Sequence, residues 1–154
     1  MTVAMPEPQE GLFALVPADR AASIWAAVAP ILRPAIRRTG GQFDEAGVLD
    51  LVRTGKMQLW VLEGGQGIRA VVTTAVLNYV GMRVLAIPLM AGTGMPQWLA
   101  GLEAVLTEHG RQQACAMLES YVRPGLIGAS YNEQRARIKD AQKCWTMVRK
   151  PIAP

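Results

Sequence analysis

Three short apolar segments joined by two tight turns limit most strongly how this chain can fold. The segments lie at residues 57–62, 68–77 and 82–90 and are rich in β-branched and other apolar side chains. The turns at 64–67 and 78–81 are too short for the crossover that parallel neighbours require. The sequence therefore predicts an antiparallel meander of three strands.

Helical spacing of apolar residues precedes this meander. A short apolar run predicts a strand at 11–16, and helical patterns predict one helix from Asp19 onward and a second at 44–53. We expect the first helix to kink or break at Pro30 and Pro34, because proline in a helix interior removes a backbone donor.

The meander is followed by a return to helical spacing. The turn Gly92-Thr93-Gly94, called the glycine turn below, leads into a predicted helix at 95–109 that Gly110 ends. The next predicted strand, at 114–122, follows a helix and should therefore run parallel to the third meander strand. The last predicted elements are a helix at 126–140 and a strand at 144–149.

Pro88 interrupts the third strand of the meander. Because proline has no N–H to donate to a neighbouring strand, its position indicates a β-bulge or a locally unpaired edge.

This order of elements resembles the fold of the GCN5-related N-acetyltransferases (GNAT) over residues 11–150. The resemblance implies an α+β or α/β domain with a mixed, mostly antiparallel sheet and helices on both faces. The segments QLWVLEGG, AGTGMPQWL and LTEHGRQQACAMLESYVRPG are more narrowly similar to small GNAT-like proteins of tailed bacteriophages. On this interpretation residues 1–10 are an N-terminal arm, flexible or held by a partner, and residues 151–154 are a tail.

The resemblance implies a cofactor site at the glycine turn. Acetyltransferases of this fold hold the pyrophosphate of acetyl-CoA on backbone N–H groups of a loop written Arg/Gln-x-x-Gly-x-Gly/Ala, at the start of a helix. Gly92, Thr93 and Gly94 match the glycine part of that loop, whereas Leu89 stands where the family has Arg or Gln. Pro96 also removes one N–H from the first helical turn. The segment is either a CoA site or a structural turn.

Catalytic side chains are harder to find. The family often uses a Glu on the third meander strand, or a water, as base and a Tyr on the last helix as acid. Residues 82–90 hold no carboxylate, and residues 137–140, which align with the family's Tyr-containing turn, hold no Tyr. Glu119 and Tyr121 are the candidate catalytic residues, with Tyr131 as a further substitute. A solvent-facing or ion-paired strand position is the better-supported interpretation for Glu119, and half-buried packing is the better-supported one for the two tyrosines. His109 is expected to cap its helix.

Composition narrows the class of protein. The chain has 154 residues, 51% of them hydrophobic and 18% charged, which predicts one folded domain. Cys115 and Cys144 have no metal-type spacing, so a reduced, intracellular setting is expected. No apolar run is long enough to span a membrane, and the N-terminus lacks the features of a signal peptide.

The positive charge is concentrated near the C-terminus. Residues 1–122 carry nine positive and ten negative charges, whereas residues 123–154 carry seven positive and two negative. Such a segment favours contact with DNA or an acidic protein surface, unless it is simply a solvated face.

Two functions follow from these observations. The first is a bacteriophage virion protein without acetyltransferase chemistry or cofactor. It would contact other virion, tail or portal proteins, or further copies of itself, and packaged DNA through residues 123–150. It would be located in the virion after synthesis in the host cytoplasm, with no membrane contact. The alternative is an active acetyl-CoA-dependent N-acetyltransferase, in which the glycine turn binds pyrophosphate and Glu119 or a water acts as base.

Overall fold

The strands form one open sheet in chain order. A computed structural model describes residues 12–122 and 146–153, and within these residues the sheet has six strands. They are β1 (Phe13–Val16), β2 (Gln58–Gly64), β3 (Gly67–Asn78), β4 (Arg83–Gly92), β5 (Met117–Val122) and β6 (Thr146–Pro151). Neighbours are antiparallel except β4 and β5, which are parallel. The predicted meander and the predicted parallel crossover are both confirmed.

Three α-helices lie among the described residues. They are α1 (Ala21–Arg38), which follows a 3-10 turn at Ala18–Arg20, α2 (Glu45–Arg53) and α3 (Met95–Gln112). The Asp44 carboxylate accepts a hydrogen bond from the Gly47 N–H at 2.6 Å and caps α2, as its sequence predicts. The helix predicted at 126–140 lies outside the described residues.

Of the predicted kink or break in α1, the break does not occur. The helix runs without interruption through Pro30 and Pro34. Both prolines are exposed, four residues apart on the solvent face, while Leu32 and Ile36 are buried against the sheet. The carbonyl groups that lose their partners to proline therefore face water, and packing of the apolar face keeps the helix together.

The sheet separates two apolar cores. Alternate residues of β2 point to opposite faces, so Trp60 and Leu62 pack on the face covered by α3, while Leu59 and Val61 pack on the face covered by α1 and α2. We call these the α3-side core and the α1-side core. Helices on both faces confirm the predicted architecture.

A β-bulge in β4 changes the face of the sheet toward which its side chains point. The β3–β4 register shifts at Thr74, where two residues of β4, Ile87 and Pro88, lie opposite one residue of β3. Leu85 therefore packs in the α3-side core, whereas Leu89, four residues later, packs in the α1-side core. The bulge predicted from Pro88 is confirmed.

Gly110 does not end α3. The helix continues to Gln112, and the left-handed residue that follows it is Ala114, with φ of 57°. Gly110 is buried, and a Cβ at this position would lie 2.6 Å from Cδ1 of Ile152. The glycine therefore allows the segment after β6 to pack closely on α3, and Ile152 belongs to the α3-side core.

The substitution Gly110→Ala should reveal this contact. Alanine favours a helix interior by about 1 kcal/mol, but crowding in a packed core costs about 1–3 kcal/mol, so we expect a net loss of stability. In an Ile152→Val background, which lacks the Cδ1 atom, the same Gly110→Ala change should stabilise the fold. Urea unfolding of the four proteins measures both effects. Equal effects of Gly110→Ala in the two backgrounds would contradict this explanation.

Candidate functional site

The central strands β4 and β5 separate part-way along their length. Their parallel pairing begins at Val84 with Met117 and ends at Ile87 with Ser120. Beyond that point β4 continues to Gly92, paired with β3 alone in the part of the chain that the structure describes. We call the space beside residues 88–92 the β4–β5 opening. It begins at the β-bulge.

Backbone N–H groups of β4 are directed into this opening. The Leu89 N–H donates to Oγ1 of Thr73 at 3.2 Å and the Thr93 N–H donates to the Arg69 carbonyl at 3.1 Å, so both are directed toward β3. Because N–H groups alternate in direction along a strand, the Met90 N–H is directed away from β3 and toward the opening.

The glycine turn adopts backbone angles that other residues avoid. Gly92 has φ of 145° and Gly94 has φ of 74°. A Cβ on Gly92 would lie 2.5 Å from the Arg69 carbonyl oxygen and 2.6 Å from Cα of Ala70, both backbone atoms. The first glycine is therefore required by the close approach of β3, and the second by its left-handed conformation at the N-cap of α3.

The N-terminus of α3 has no cap from the described residues. Within 12–122 and 146–153 no side chain accepts a hydrogen bond from its first turn, and that turn has no acidic residue. Trp98 Nε1 donates to the Thr93 carbonyl at 2.8 Å and the Gln97 N–H donates to the Gly94 carbonyl, which fixes the turn. The N–H groups of Gly94 and Met95 have no acceptor among residues 12–122 and 146–153. Such groups at the positive end of a helix dipole favour an anion.

The side chains around the turn differ from the family pattern. Leu89, where the resemblance places Arg or Gln, is 2% exposed and lies in the α1-side core. A different cation lies nearby: Nη2 of Arg69, on β3, is 2.6 Å from the position that a Gly94 Cβ would occupy. Gln97 Oε1 lies 2.8 Å from that same position. Sequence analysis did not find Arg69.

Glu119 lies beside the opening but is held by protein contacts. It pairs with Ala86 of β4, one residue before the parallel pairing ends. Its side chain is 1% exposed. Oε1 accepts a hydrogen bond from the Tyr79 hydroxyl at 3.1 Å, and Oε2 accepts one from Arg149 Nε at 2.8 Å. We call these three residues the Glu119 cluster.

The Arg149 guanidinium completes this cluster from β6. It lies over the Tyr79 ring, 6.0 Å from its centroid, and the Glu119 carboxylate raises the pKa of Arg149 through a hydrogen bond and Coulomb attraction. Tyr79 and Arg149 were missed by sequence analysis, since 40 and 30 residues separate them from Glu119.

The other candidate catalytic residues are not brought into a described site. Tyr121 lies on β5, two residues after Glu119, and only its backbone is described. Tyr131 lies outside the described residues, as does Cys144. Along β4, six residues separate Ala86, the partner of Glu119, from Gly92, about 20 Å at the rise of a strand. The glycine turn and Glu119 therefore lie near opposite ends of the opening.

His109 lies in the last turn of α3, where the sequence predicts that it caps the helix. The imidazole packs edge-on against Trp60, with ring centroids 5.0 Å apart, and burial lowers its pKa. Burial therefore favours the neutral imidazole, which lacks the charge that a helix-dipole interaction would use.

Part of the basic C-terminal segment is neutralised within the fold. Residues 123–145, which hold most of its charge, lie outside the described residues. Arg149 pairs with Glu119 and Lys150 pairs with Glu103. These two cations are therefore engaged by the protein itself.

Other classes of site can be checked across the described residues. No group of three His, Cys, Asp or Glu side chains among them could hold a metal ion. None of the described helices is long and apolar enough to cross a membrane.

Solved structures share this fold over nearly the whole chain. Ribosomal-protein-alanine N-acetyltransferase from Brucella melitensis superposes with a TM-score of 0.62 at 14% identity, over 91% of this chain and 99% of that one. Tetrahymena GCN5 gives a TM-score of 0.58 at 17% identity, over 92% and 96% of the two chains. This chain has the GNAT fold. An aminoglycoside 6'-acetyltransferase type Ii, 10% identical, extends the likeness with a TM-score of 0.60 over 93% and 98% of the chains.

The fold resemblance inferred from the sequence is thus confirmed. No family model matches the chain, and no curated protein matches it. The comparisons give no indication of a bacteriophage origin. At these identities the likeness establishes the GNAT fold, and the activity has to be argued from the site.

Proposed function

We propose that this chain is an acetyl-CoA-dependent N-acetyltransferase. The observation that carries the proposal is the β4–β5 opening, which leads from the bulge to the glycine turn and the N-terminus of α3. The similar structures named above are acetyltransferases, which supports this activity over a purely structural one.

The residues at the turn fit the diphosphate of CoA. Gly92 allows the close approach of β3, and the N–H groups of Gly94 and Met95 at the start of α3 have no acceptor among the described residues. Pro96 contributes no N–H and Leu89 contributes no charge, so the fit rests on these two amides, the helix dipole and the nearby Arg69. When bound, acetyl-CoA would supply the activated acetyl thioester.

The chain's own groups would then place the reactants and stabilise the charge that develops during acetyl transfer. The Met90 N–H, directed into the opening, is placed to donate to a carbonyl oxygen and to stabilise negative charge on it. Glu119 has both carboxylate oxygens engaged by Tyr79 and Arg149, so it anchors the start of the opening. We infer that the proton of the acceptor amine passes to water, because acyl transfer between well-placed reactants needs no strong base.

A structural role in a bacteriophage particle is the weaker proposal. Nothing in the comparisons supports it, and residues 1–10 and most of 123–150, which would make its contacts, lie outside the described residues. The virion location, the particle partners and the DNA contact stay predictions.

Ligand-dependent stability tests the proposed activity. We expect acetyl-CoA to raise the melting temperature by several degrees, since a ligand at 100 times its Kd adds about 2.7 kcal/mol. The same protein should release free CoA thiol when given acetyl-CoA and a mixture of primary amines. ATP at equal concentration is the control for nonspecific phosphate binding. No shift with millimolar acetyl-CoA would exclude the proposal, and a shift without amine-dependent thiol release would reduce it to CoA binding alone.

A further inference from the structure

The Arg69 side chain extends over Gly64 and ends beside Gly94. A Cβ on Gly64 would lie 2.4 Å from Cδ and 2.8 Å from Cγ of Arg69, so the stem of this side chain lies directly over Gly64. Its far end reaches the glycine turn, with Nη2 2.6 Å from the position of a Gly94 Cβ. The bare surfaces of Gly64 and Gly94 are therefore what allow the guanidinium to lie beside the N-terminus of α3.

The charge of Arg69 is not used elsewhere in the described part of the chain. None of the ion pairs between described residues includes it, although Glu63 lies on the adjacent strand. The first turn of α3 has no acidic side chain that could attract it. Arg69 thus adds a positive charge to a place where backbone N–H groups and the helix dipole already favour an anion.

The origin of this cation is set by strand register. Ala70 pairs with Gly92, and the Arg69 carbonyl accepts the Thr93 N–H, so β3 presents Arg69 directly beside the turn. Position 89 cannot supply a cation there, because Leu89 is buried in the α1-side core.

We propose that Arg69 is the cationic ligand of the CoA pyrophosphate, and that it takes over the part of the loop side chain missing at position 89. This inference rests on the proposed function. Gly64 acts through Arg69, as the residue that leaves room for its stem.

Binding of CoA to purified variants tests the role of the charge. Calorimetric titration with CoA should show that Arg69→Gln raises Kd about tenfold or more, because a lost charge-assisted hydrogen bond is worth at least that much. The affinity of this variant should also depend less on salt concentration. Arg83→Gln is the matched control: Arg83 is an exposed arginine at the opposite end of β4, and its loss should change Kd less than twofold.

Titration with dephospho-CoA separates the two phosphate positions of the ligand. This compound keeps the pyrophosphate and lacks the 3'-phosphate, so Arg69→Gln should weaken its binding as much as that of CoA. A loss seen with CoA but not with dephospho-CoA would overturn the assignment to pyrophosphate.

The substitution Gly64→Ala tests the path of the side chain. Gly64 has an ordinary strand backbone, so alanine should leave the fold stable while its Cβ displaces the Arg69 stem. We expect weaker CoA binding in the wild-type background and no further loss in the Arg69→Gln background. Additive losses of CoA affinity would contradict the inferred path of the Arg69 side chain over Gly64.

The outcomes also separate this inference from the proposed function. If the wild-type chain binds CoA and Arg69→Gln binds it equally well, Arg69 is not the ligand and the proposed function stands. If the wild-type chain does not bind CoA, both fail.

Discussion

Replacing Arg149 with methionine is expected to lower the free energy of unfolding by about 3 kcal/mol. The change leaves the Glu119 carboxylate, 1% exposed, without its cation, and a buried charge that loses its partner costs about 3–5 kcal/mol. The Tyr79 hydroxyl still donates to Oε1, which places the loss at the lower end of that range. Since domains of this size are stable by about 5–15 kcal/mol, the effect should be large.

Substitution of Glu119, the other member of the pair, should lower the free energy of unfolding much less. In Glu119→Gln the amide keeps the shape of the carboxylate and can still accept from Tyr79, while Arg149, 34% exposed, can turn toward water. We expect a loss of about 1 kcal/mol. The double variant should be more stable than Arg149→Met alone, because it removes the uncompensated charge.

Urea unfolding of these variants measures the asymmetry. The Lys150–Glu103 pair is the control, since both side chains are more exposed than Glu119 and Lys150→Met should cost about 1 kcal/mol or less. A larger loss from Glu119→Gln than from Arg149→Met would contradict the explanation that a buried carboxylate without its cation causes the loss.

The substitution Gly92→Ala is expected to cost more than about 3 kcal/mol and to abolish CoA binding. Its φ of 145° is strained for any L-residue, at about 1–3 kcal/mol, and its Cβ would overlap two backbone atoms of β3 that cannot move without the sheet. Relief of the overlap would widen the space between β3 and β4 at the glycine turn.

Two other glycines supply matched controls for backbone strain. Gly55, after α2, has φ of 77° and no atom within 4 Å of the position that a Cβ would occupy, so Gly55→Ala should cost about 1–2 kcal/mol and leave CoA binding unchanged. Gly94 has nearly the same φ, 74°, so Gly94→Ala should cost a similar amount. Its Cβ, however, would meet Arg69 Nη2 and Gln97 Oε1 and should weaken CoA binding.

Thermal unfolding with and without CoA separates strain from binding in this series. The expected order of stability is wild type, then Gly55→Ala and Gly94→Ala together, then Gly92→Ala. A Gly94→Ala protein that binds CoA as tightly as Gly55→Ala does would show that the glycine turn is only a structural turn.

Hydrophobic periodicity was sufficient to predict most of the fold. The meander, its two turns and the N-cap of α2 are local features, set by alternation, glycine and Asp44, and they agree with the structure to within about two residues. The errors at Pro30, Pro34 and Gly110 have one cause. Local preference for breaking a helix was outweighed by packing of α1 on the sheet and of Ile152 on α3.

The site was predictable only where it is local in sequence. The glycine turn and Pro88 are recognisable from residue type alone. Arg69, Tyr79 and Arg149, in contrast, are brought to the site by the pairing of distant strands. One signal was available for Arg69. Counting back along the hairpin from the turn at 78–81 places it within about two residues of Gly92, but the exact register depends on a bulge whose size the sequence does not specify.

The bulge in β4 also limits which single substitutions could bring a cation to the glycine turn. Because the extra residue turns Leu89 into the α1-side core, a single change of Leu89 to arginine would bury a charge there and leave the glycine turn without it. A cation at this turn is therefore more easily gained on a neighbouring strand. Because the Arg69 stem lies over Gly64, we expect substitutions at positions 64 and 69 to occur together during evolution.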